Sequence, residues 1–493
     1  MQDGTQLQAG IILARLYYEK QQLDKALSIS TKLLVQAPDS IQLLLLTGNI
    51  FAASGQYLEA RAKFEAILLQ EPTFLLAKIS LGKLLLAEGK VSQARAYYNA
   101  MLDHHAENVA ILTTLSQLEI LQNNIPQAIR HLERVRDFDA KNWRVRLELS
   151  SLYLRSDLKS KAFEMVLSAK RIEPKEPKIL FAVANVAMLV NDVSEAKVSF
   201  SRLISLYQSD AKKLFTVASA QYSVGLTEDA IATVKLAIHY QSLFPEAEVA
   251  QATWLLALNR TAEAELMVER LKQINIEKTQ LNQLLGDIAY QKGRYVEAIE
   301  FYRETPSDVR QVVRLYNAYV AKGDTDIALV ELEQWVETHP GDLRITALLV
   351  EANLRLGRTE VAQGLLEFLV KKLPNQASLL NNLANIYAEK NDPRALPFAK
   401  KAYELDAEDA SINDTLGWLL LKAGKPKEGL RYLRDAEYRA SDSLEIRYHI
   451  AVALNLLQRH SESVEILQSL VKSKAPFLHK NEALLLLKKL TVE

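Results

Sequence analysis

The chain has 493 residues, of which 49% are hydrophobic and 24% charged, with 60 Lys+Arg against 60 Asp+Glu and no cysteine. This composition is globular and long enough for several domains, and its charge balance gives no whole-chain field toward nucleic acid or anionic lipid. The missing cysteine excludes disulfides, thiolate nucleophiles and Cys-ligated metals; there is no apolar run of about 18 residues to suggest a membrane span, and no basic-then-apolar leader at the N-terminus.

Along the chain one pattern returns. Ala26, Ala60, Ala94, Ala128, Ala162, Ala196, Ala230, Ala264 and Ala298 follow one another at intervals of 34 residues; the series continues through Ala328, Ala362 and Ala395, then relaxes to Gly429 and Ser463. Such a period defines fourteen units from about residue 7 to 477. Twelve residues before each alanine stands a second small residue, as in Ala14, Gly48, Gly82, Ser116, Ala184, Gly286 and Gly417. Between the two series fall residues that tolerate a left-handed backbone, among them Gly55, Gly89, Asn123, Asn191, Gly225, Asn259, Gly293 and Gly424, where a helix should stop. Prolines 38, 72, 174, 340 and 374 sit near the ends of their units.

Each unit therefore reads as helix, turn, helix, with apolar residues three and four apart on both halves, as in Leu43, Leu44 and Phe51, then Ala60, Phe64 and Ile67. One hairpin cannot bury its own apolar face, so neighbours must stack into a solenoid. The ninth unit is about four residues short, around Pro306, and the next two carry Tyr316 and Val350 where a small residue is expected; a kink is expected there. This divides the chain into residues 7–308 with nine units, 309–477 with five, and 478–493, "FLHKNEALLLLKKL" onward, as a final capping helix. Only six residues precede the first unit, and this abrupt start points to a fragment or to a chain whose leader has been removed.

Residues 48, 60, 64 and 72 (Gly, Ala, Phe, Pro) match the small, Ala, aromatic and Pro positions 8, 20, 24 and 32 of the tetratricopeptide repeat, and nearly the whole chain resembles that family. The resemblance implies an all-α, right-handed α-solenoid of about fourteen helix hairpins that binds protein partners, a peptide or helical segment, in a concave groove. In the family that groove is lined by positions 2, 5, 9, 12 and 13 of the first helix. Here these give Leu45, Asn49, Ile79, Lys83, Phe181, Asn185 and Met188, then Tyr222, Asp287, Tyr290 and Asn317, then Asn381, Asn385, Glu389, Asp414, Trp418 and Tyr448. Leu45, Ile79 and Phe181 also suit packing between neighbouring first helices, and Tyr222 and Tyr290 suit filling the seams between repeats. Asn381, Asn382 and Asn385 call for partners, in a ligand or in an adjacent repeat. The carboxylate clamp of chaperone-binding members is not assembled, because Leu45, Val313 and Asn381 stand at position 5 before Asn49, Asn317 and Asn385.

Nothing in the sequence carries enzyme chemistry: there is no phosphate loop, GxSxG elbow or HExxH pair. The eight histidines are scattered; His104 and His105 should diverge on their helix, and Ser156 and Lys159, spaced as SxxK, fall in a turn. No metal or cofactor is expected. The stretches "NNLA", "INDTLGW", "RYHIAVAL" and "LEQWVETHPGD" resemble the tetratricopeptide lipoproteins of bacterial exosortase (PEP-CTERM) and exopolysaccharide systems. That resemblance implies a periplasmic or envelope-associated, non-enzymatic scaffold for export, with direct glycan binding through Trp418, Asn381 and Asn385, or a cytoplasmic adaptor role, as alternatives. Within "INDTLGW", Asn413 is expected on the packing side, Gly417→Leu should cost roughly 1–3 kcal/mol by overpacking, and Asp414→Ala should leave folding nearly intact.

Overall fold

The structure, a computed structural model, describes residues 2–492 apart from 104, 275 and 474. Among the described residues there are 29 α-helices and no strand. They pair in chain order as the period requires: Ile41–Ala53 with Tyr57–Gln70, Leu75–Ala87 with Val91–Leu102, and so on to Leu444–Leu456 with His460–Lys472, leaving Lys480–Val492 as the last helix. The first helix starts at Gln2, ahead of the expected start near residue 7. The chain forms two compact units, Met1–Trp254 and Leu255–Glu493.

Local rules set the helix ends. Ser40, Asn108, Asp342, Asp409 and Ser443 cap first helices by accepting backbone N–H bonds two or three residues on. At the turn, Gly55, Gly89, Asn123, Asn191, Gly225, Asn259, Gly293 and Gly424 all have positive φ as expected; Gln21, Asp157 and Gln458 adopt the same conformation in the same register, at φ 58, 56 and 62°. Ser156 and Lys159 flank that turn at Asp157, so the SxxK spacing belongs to chain reversal.

The two small-residue series meet. Alanines 26 to 362 of the first series are fully buried. Ser116 Oγ donates to Ala128 O at 3.1 Å, and Ser463 Oγ to Ala451 O at 2.8 Å, the same contact with its polar partner on the opposite helix. Four residues after each alanine a side chain fills the hairpin, and where the facing position is glycine that side chain is large: Phe64 against Gly48, Tyr98 against Gly82, Tyr302 against Gly286. Tyr316 and Val350, the departures from the small-residue rule, are buried.

The shortening of the ninth repeat lies in its second helix, Tyr295–Arg303, of nine residues. The chain then turns through buried Thr305 and Gln311, whose Nε2 donates to Tyr302 O at 2.7 Å and Thr305 O at 3.1 Å. "LEQWVETHPGD" is a corner between repeats. The indole of Trp335 donates to Asp342 at 3.2 Å, His339 stacks on it with centroids 3.9 Å apart, and Asp342 caps the next helix. In each unit, second helices pack on the following first helix, and some successive first helices also touch directly: Gln2–Glu19, Ile41–Ala53 and Leu75–Ala87 in one unit, Ala377–Glu389, Ala410–Lys422 and Leu444–Leu456 in the other.

Candidate functional site

Position 9 follows the small residue that faces the partner helix, and one residue turns a helix by about 100°, so position 9 looks away from the hairpin. No residue in this row is buried. Arg15, Lys83, Gln117, Ser151, Asn185 and Thr253 are exposed in the first compact unit, where Asn49 and Ser219 are half-buried. In the second unit Asn317, Glu351 and Asn385 are exposed, and Asp287, Trp418 and Val452 are half-buried. The result is a polar row on the first helices.

The three touching helices of the first unit enclose a cleft of about 410 Å³, lined by Tyr18, Leu45, Asn49, Leu76, Ile79 and Lys83 among others. Four of these were expected from sequence at the groove, and the fold brings them together. Ile79 is buried and forms the floor, its carbonyl accepting from the Tyr98 hydroxyl at 2.9 Å. Leu45 and Asn49 are half-buried on the wall, and Lys83 is exposed at the rim.

Further along, the expected residues divide. Phe181 is half-buried against Leu180, Ala184 and Phe200, while Asn185 is exposed. Tyr222 stacks on Trp254 of the next repeat with centroids 5.0 Å apart while staying partly open, and Tyr290 lies 5.6 Å from Tyr295 of its own hairpin. The Asp287 carboxylate is engaged: Tyr302 donates to Oδ1 at 2.7 Å, and Arg314 of the next repeat donates from Nε and Nη2 at 2.9 and 3.1 Å. Burial and the adjacent Asp287 charge push the Tyr302 phenol well above its usual value, keeping it a donor. Asn381 is 5% exposed and offers no open surface, whereas Asn385 and Glu389 are exposed.

The C-terminal repeats hold a polar cluster. Asn413 is buried and donates to Ala407 O and Asp409 O, both at 2.8 Å, tying its helix to the preceding loop. Asp414 Oδ1 accepts from His449 Nδ1 at 2.7 Å, joining Ala410–Lys422 to Leu444–Leu456. Trp418 lies on His449, centroids 4.1 Å apart at 20°, and Tyr448 stacks on His479 at 4.9 Å and 10°. Tyr448, expected at the groove, is only 7% exposed, and burial raises its phenol pKa, reinforced by Glu482 and Glu445. The expected Trp418–Asn381–Asn385 platform is thus open mainly at Asn385, because His449 covers one Trp418 face and Asn381 is buried.

Glu445, His449 and His479 were not singled out in the sequence. The available signal was local: Glu445 and His449 stand four apart on one helix face. His479 joins them only through the packing of the last helix. Of the adjacent histidines, His104 lies outside the described residues.

Stacked helix hairpins with an open row on their first helices define a repeat scaffold of the α-solenoid class. Tetratricopeptide repeat models match residues 51–118, 85–146, 279–304 and 415–477, so these stretches are similar to tetratricopeptide repeats. It is similar to Tetratricopeptide repeat protein 21A of Mus musculus, 25% identical over 217 residues, 39% of this chain and 16% of the mouse protein. It is similar also to TPR repeat-containing protein PA4667 of Pseudomonas aeruginosa, 27% identical over 173 residues, 33% of this chain and 29% of that protein. The matches thus span less than a third of either relative. Among solved structures, the APC/C hetero-tetramer Cut9–Hcn1 aligns over 97% of this chain and 95% of that chain, at 14% identity and a TM-score of 0.38. A tetratricopeptide repeat protein from Parabacteroides merdae aligns over 50% of this chain and 98% of its own, at 18% identity and a TM-score of 0.33.

Proposed function

We propose that the chain is a non-enzymatic scaffold that binds protein partners along the open row of its first helices. The carrying observation is the cleft at Tyr18, Leu45, Asn49, Ile79 and Lys83, which combines an apolar floor with an amide wall and a cationic rim. Such a surface suits a peptide or amphipathic helix that seats one apolar side chain and presents an acidic residue to Lys83 and Asn49. Selecting a displayed peptide library on the full chain tests this. Ligands with an apolar anchor beside Asp or Glu, losing affinity on Lys83→Glu and Asn49→Ala, are expected. Selected peptides indifferent to both substitutions would remove the cleft from the reading.

The setting we infer is the bacterial envelope, in export of surface polysaccharide or surface protein. It rests on the resemblance of "INDTLGW" and "RYHIAVAL" to the exosortase-associated lipoproteins. Affinity capture from separated envelope and cytosolic extracts decides it: cleft-dependent partners from the envelope support it, and partners confined to the cytosol replace it with an intracellular adaptor.

A further inference from the structure

We propose that Glu445, His449 and His479 form a binding site for one divalent transition-metal ion of the Zn²⁺ type, with Asp414 as the residue that positions His449. Among the described residues these three are the one group of possible ligands in which a donor atom from each lies within 4.8 Å of the others. On a tetrahedral ion with bonds of about 2.0–2.1 Å such atoms would stand roughly 3.4 Å apart. Closure therefore asks for a shift on the order of an ångström, which the half-buried Glu445 and His479 can supply.

His449 carries the argument. It is only 7% exposed, and its two nitrogens are treated differently by the fold. Nδ1 faces Asp414 Oδ1 at 2.7 Å, so in the neutral ring the proton sits on Nδ1 and the lone pair on Nε2. Nε2 is buried and has no partner. A buried acceptor left unmet costs free energy, and an imidazole held through its other nitrogen by a carboxylate is the arrangement that orients and strengthens a metal ligand. Trp418 on one side of His449 fixes the ring plane, as Tyr448 does for His479.

The other two ligands are poised rather than free. His479 Nδ1 meets Glu445 Oε2 at 2.7 Å, and the Leu478 amide donates to Glu445 Oε1. One carboxylate and two imidazoles give an N₂O donor set that suits Zn²⁺ and its neighbours better than Ca²⁺ or Mg²⁺. With three protein ligands, a fourth position is left for water or a side chain from a partner. Because His479 immediately precedes Lys480–Val492, the ion would fasten this last helix to the fourteenth repeat.

The test uses the full chain, stripped with chelator and carrying no histidine tag, titrated calorimetrically with Zn²⁺ and separately with Co²⁺ while its visible absorption is recorded. One saturable ion per chain is expected, with Co²⁺ bands of a four- or five-coordinate site. Glu445→Gln and His479→Gln, both partly exposed positions, should abolish that binding with the helical circular dichroism unchanged. Asp414→Asn should weaken it about 10–100-fold and shift the Co²⁺ bands, which a purely structural role for Asp414 would not do. No saturable binding, or binding that survives both glutamine substitutions, overturns the site and leaves the cluster as a hydrogen-bonded staple.

Discussion

The ring of Tyr98 occupies the space that Gly82 leaves by having no side chain: a Cβ built at Gly82 would lie 2.4 Å from Tyr98 Cζ and 2.7 Å from its hydroxyl. Tyr98 cannot easily retreat, since it is fully buried and its hydroxyl donates to Ile79 O at 2.9 Å. Gly82→Ala is therefore expected to destabilise, although alanine is the better helix former, by roughly 1–3 kcal/mol. Gly286→Ala should behave alike, its Cβ falling 2.4 Å from Tyr302 Cε1. Gly364 is the control. Nothing lies within 4 Å of its Cβ position on an exposed helix face, so Gly364→Ala should stabilise by about 0.5–1 kcal/mol. Denaturant midpoints for the three variants should fall on opposite sides of the wild type.

Asp342 makes the corner between repeats ten and eleven sensitive to acid. Burial alone would push its carboxyl pKa up, but the Trp335 indole and the amides of Ile345 and Arg344, with the Arg344 charge, outweigh it and hold the pKa below the ordinary 3.8. A carboxylate depressed in the folded state contributes stability that is complete above the unfolded pKa and lost as pH falls through the folded one. Asp342→Ala should cost about 1 kcal/mol at neutral pH as a lost helix cap. The gap between wild type and variant should close as the pH drops below about 3.8. Melts at pH 7 and pH 3 check this; an equal gap at both would show that the carboxylate charge plays no part.

Gln21 adopts at φ 58° the left-handed conformation that glycine supplies one and two repeats later, at Gly55 and Gly89. A side chain there costs roughly 1–2 kcal/mol, partly offset by the greater freedom glycine has when unfolded. Gln21→Gly should gain about 0.5–1 kcal/mol. In a repeat array, stability is local, so the gain should appear as slower amide exchange in Leu23–Gln36 with the C-terminal repeats unchanged. Faster exchange there would mean that the Gln21 side chain contributes more than its backbone costs.

How much was legible follows the range of each interaction. The Ala26 to Ser463 register and the turn at Gly55 are local and repeat themselves, so sequence alone placed them, whereas the fit of Phe64 into the space at Gly48 came with the fold. At position 9 the polar side chains Lys83, Asn185, Asn317 and Asn385 are exposed, whereas Asn49, Asp287 and Trp418 in the same register are half-buried. What the repeat register could not reveal was the use of individual side chains across repeats. Asp287 is taken by Arg314, 27 residues on, and Tyr448 is covered by His479 from the loop before the last helix. Gln21 and Gln458 at positive φ were equally hidden, because glutamine does not announce a left-handed backbone, whereas Asp157 is of a type that visits it and sits in the same register.

Asp414 and Gly417 sit three residues apart on one helix, and the structure changes their expected order of importance. From sequence, Asp414 reads as a candidate groove contact that folding does not need. In the fold its carboxylate is the acceptor for His449 Nδ1, and the other nitrogen of that buried ring has no partner. Asp414→Ala should therefore leave both His449 nitrogens unpaired and cost roughly 1–3 kcal/mol, instead of leaving folding nearly intact. Gly417→Leu remains costly, since even a Cβ would lie 2.7 Å from Leu433 Cγ and 3.0 Å from Gly429 O, a backbone atom with little room to give. The two effects differ in remedy. Replacing His449 by Phe removes the stranded polar atoms, so the Asp414→Ala/His449→Phe pair should be more stable than the sum of the single losses, whereas no change at His449 should rescue Gly417→Leu. Chelator-treated protein, followed by unfolding of the C-terminal repeats, isolates the hydrogen bond from any bound ion. An Asp414→Ala variant that unfolds with the wild type would show that the Asp414–His449 bond adds nothing to the fold.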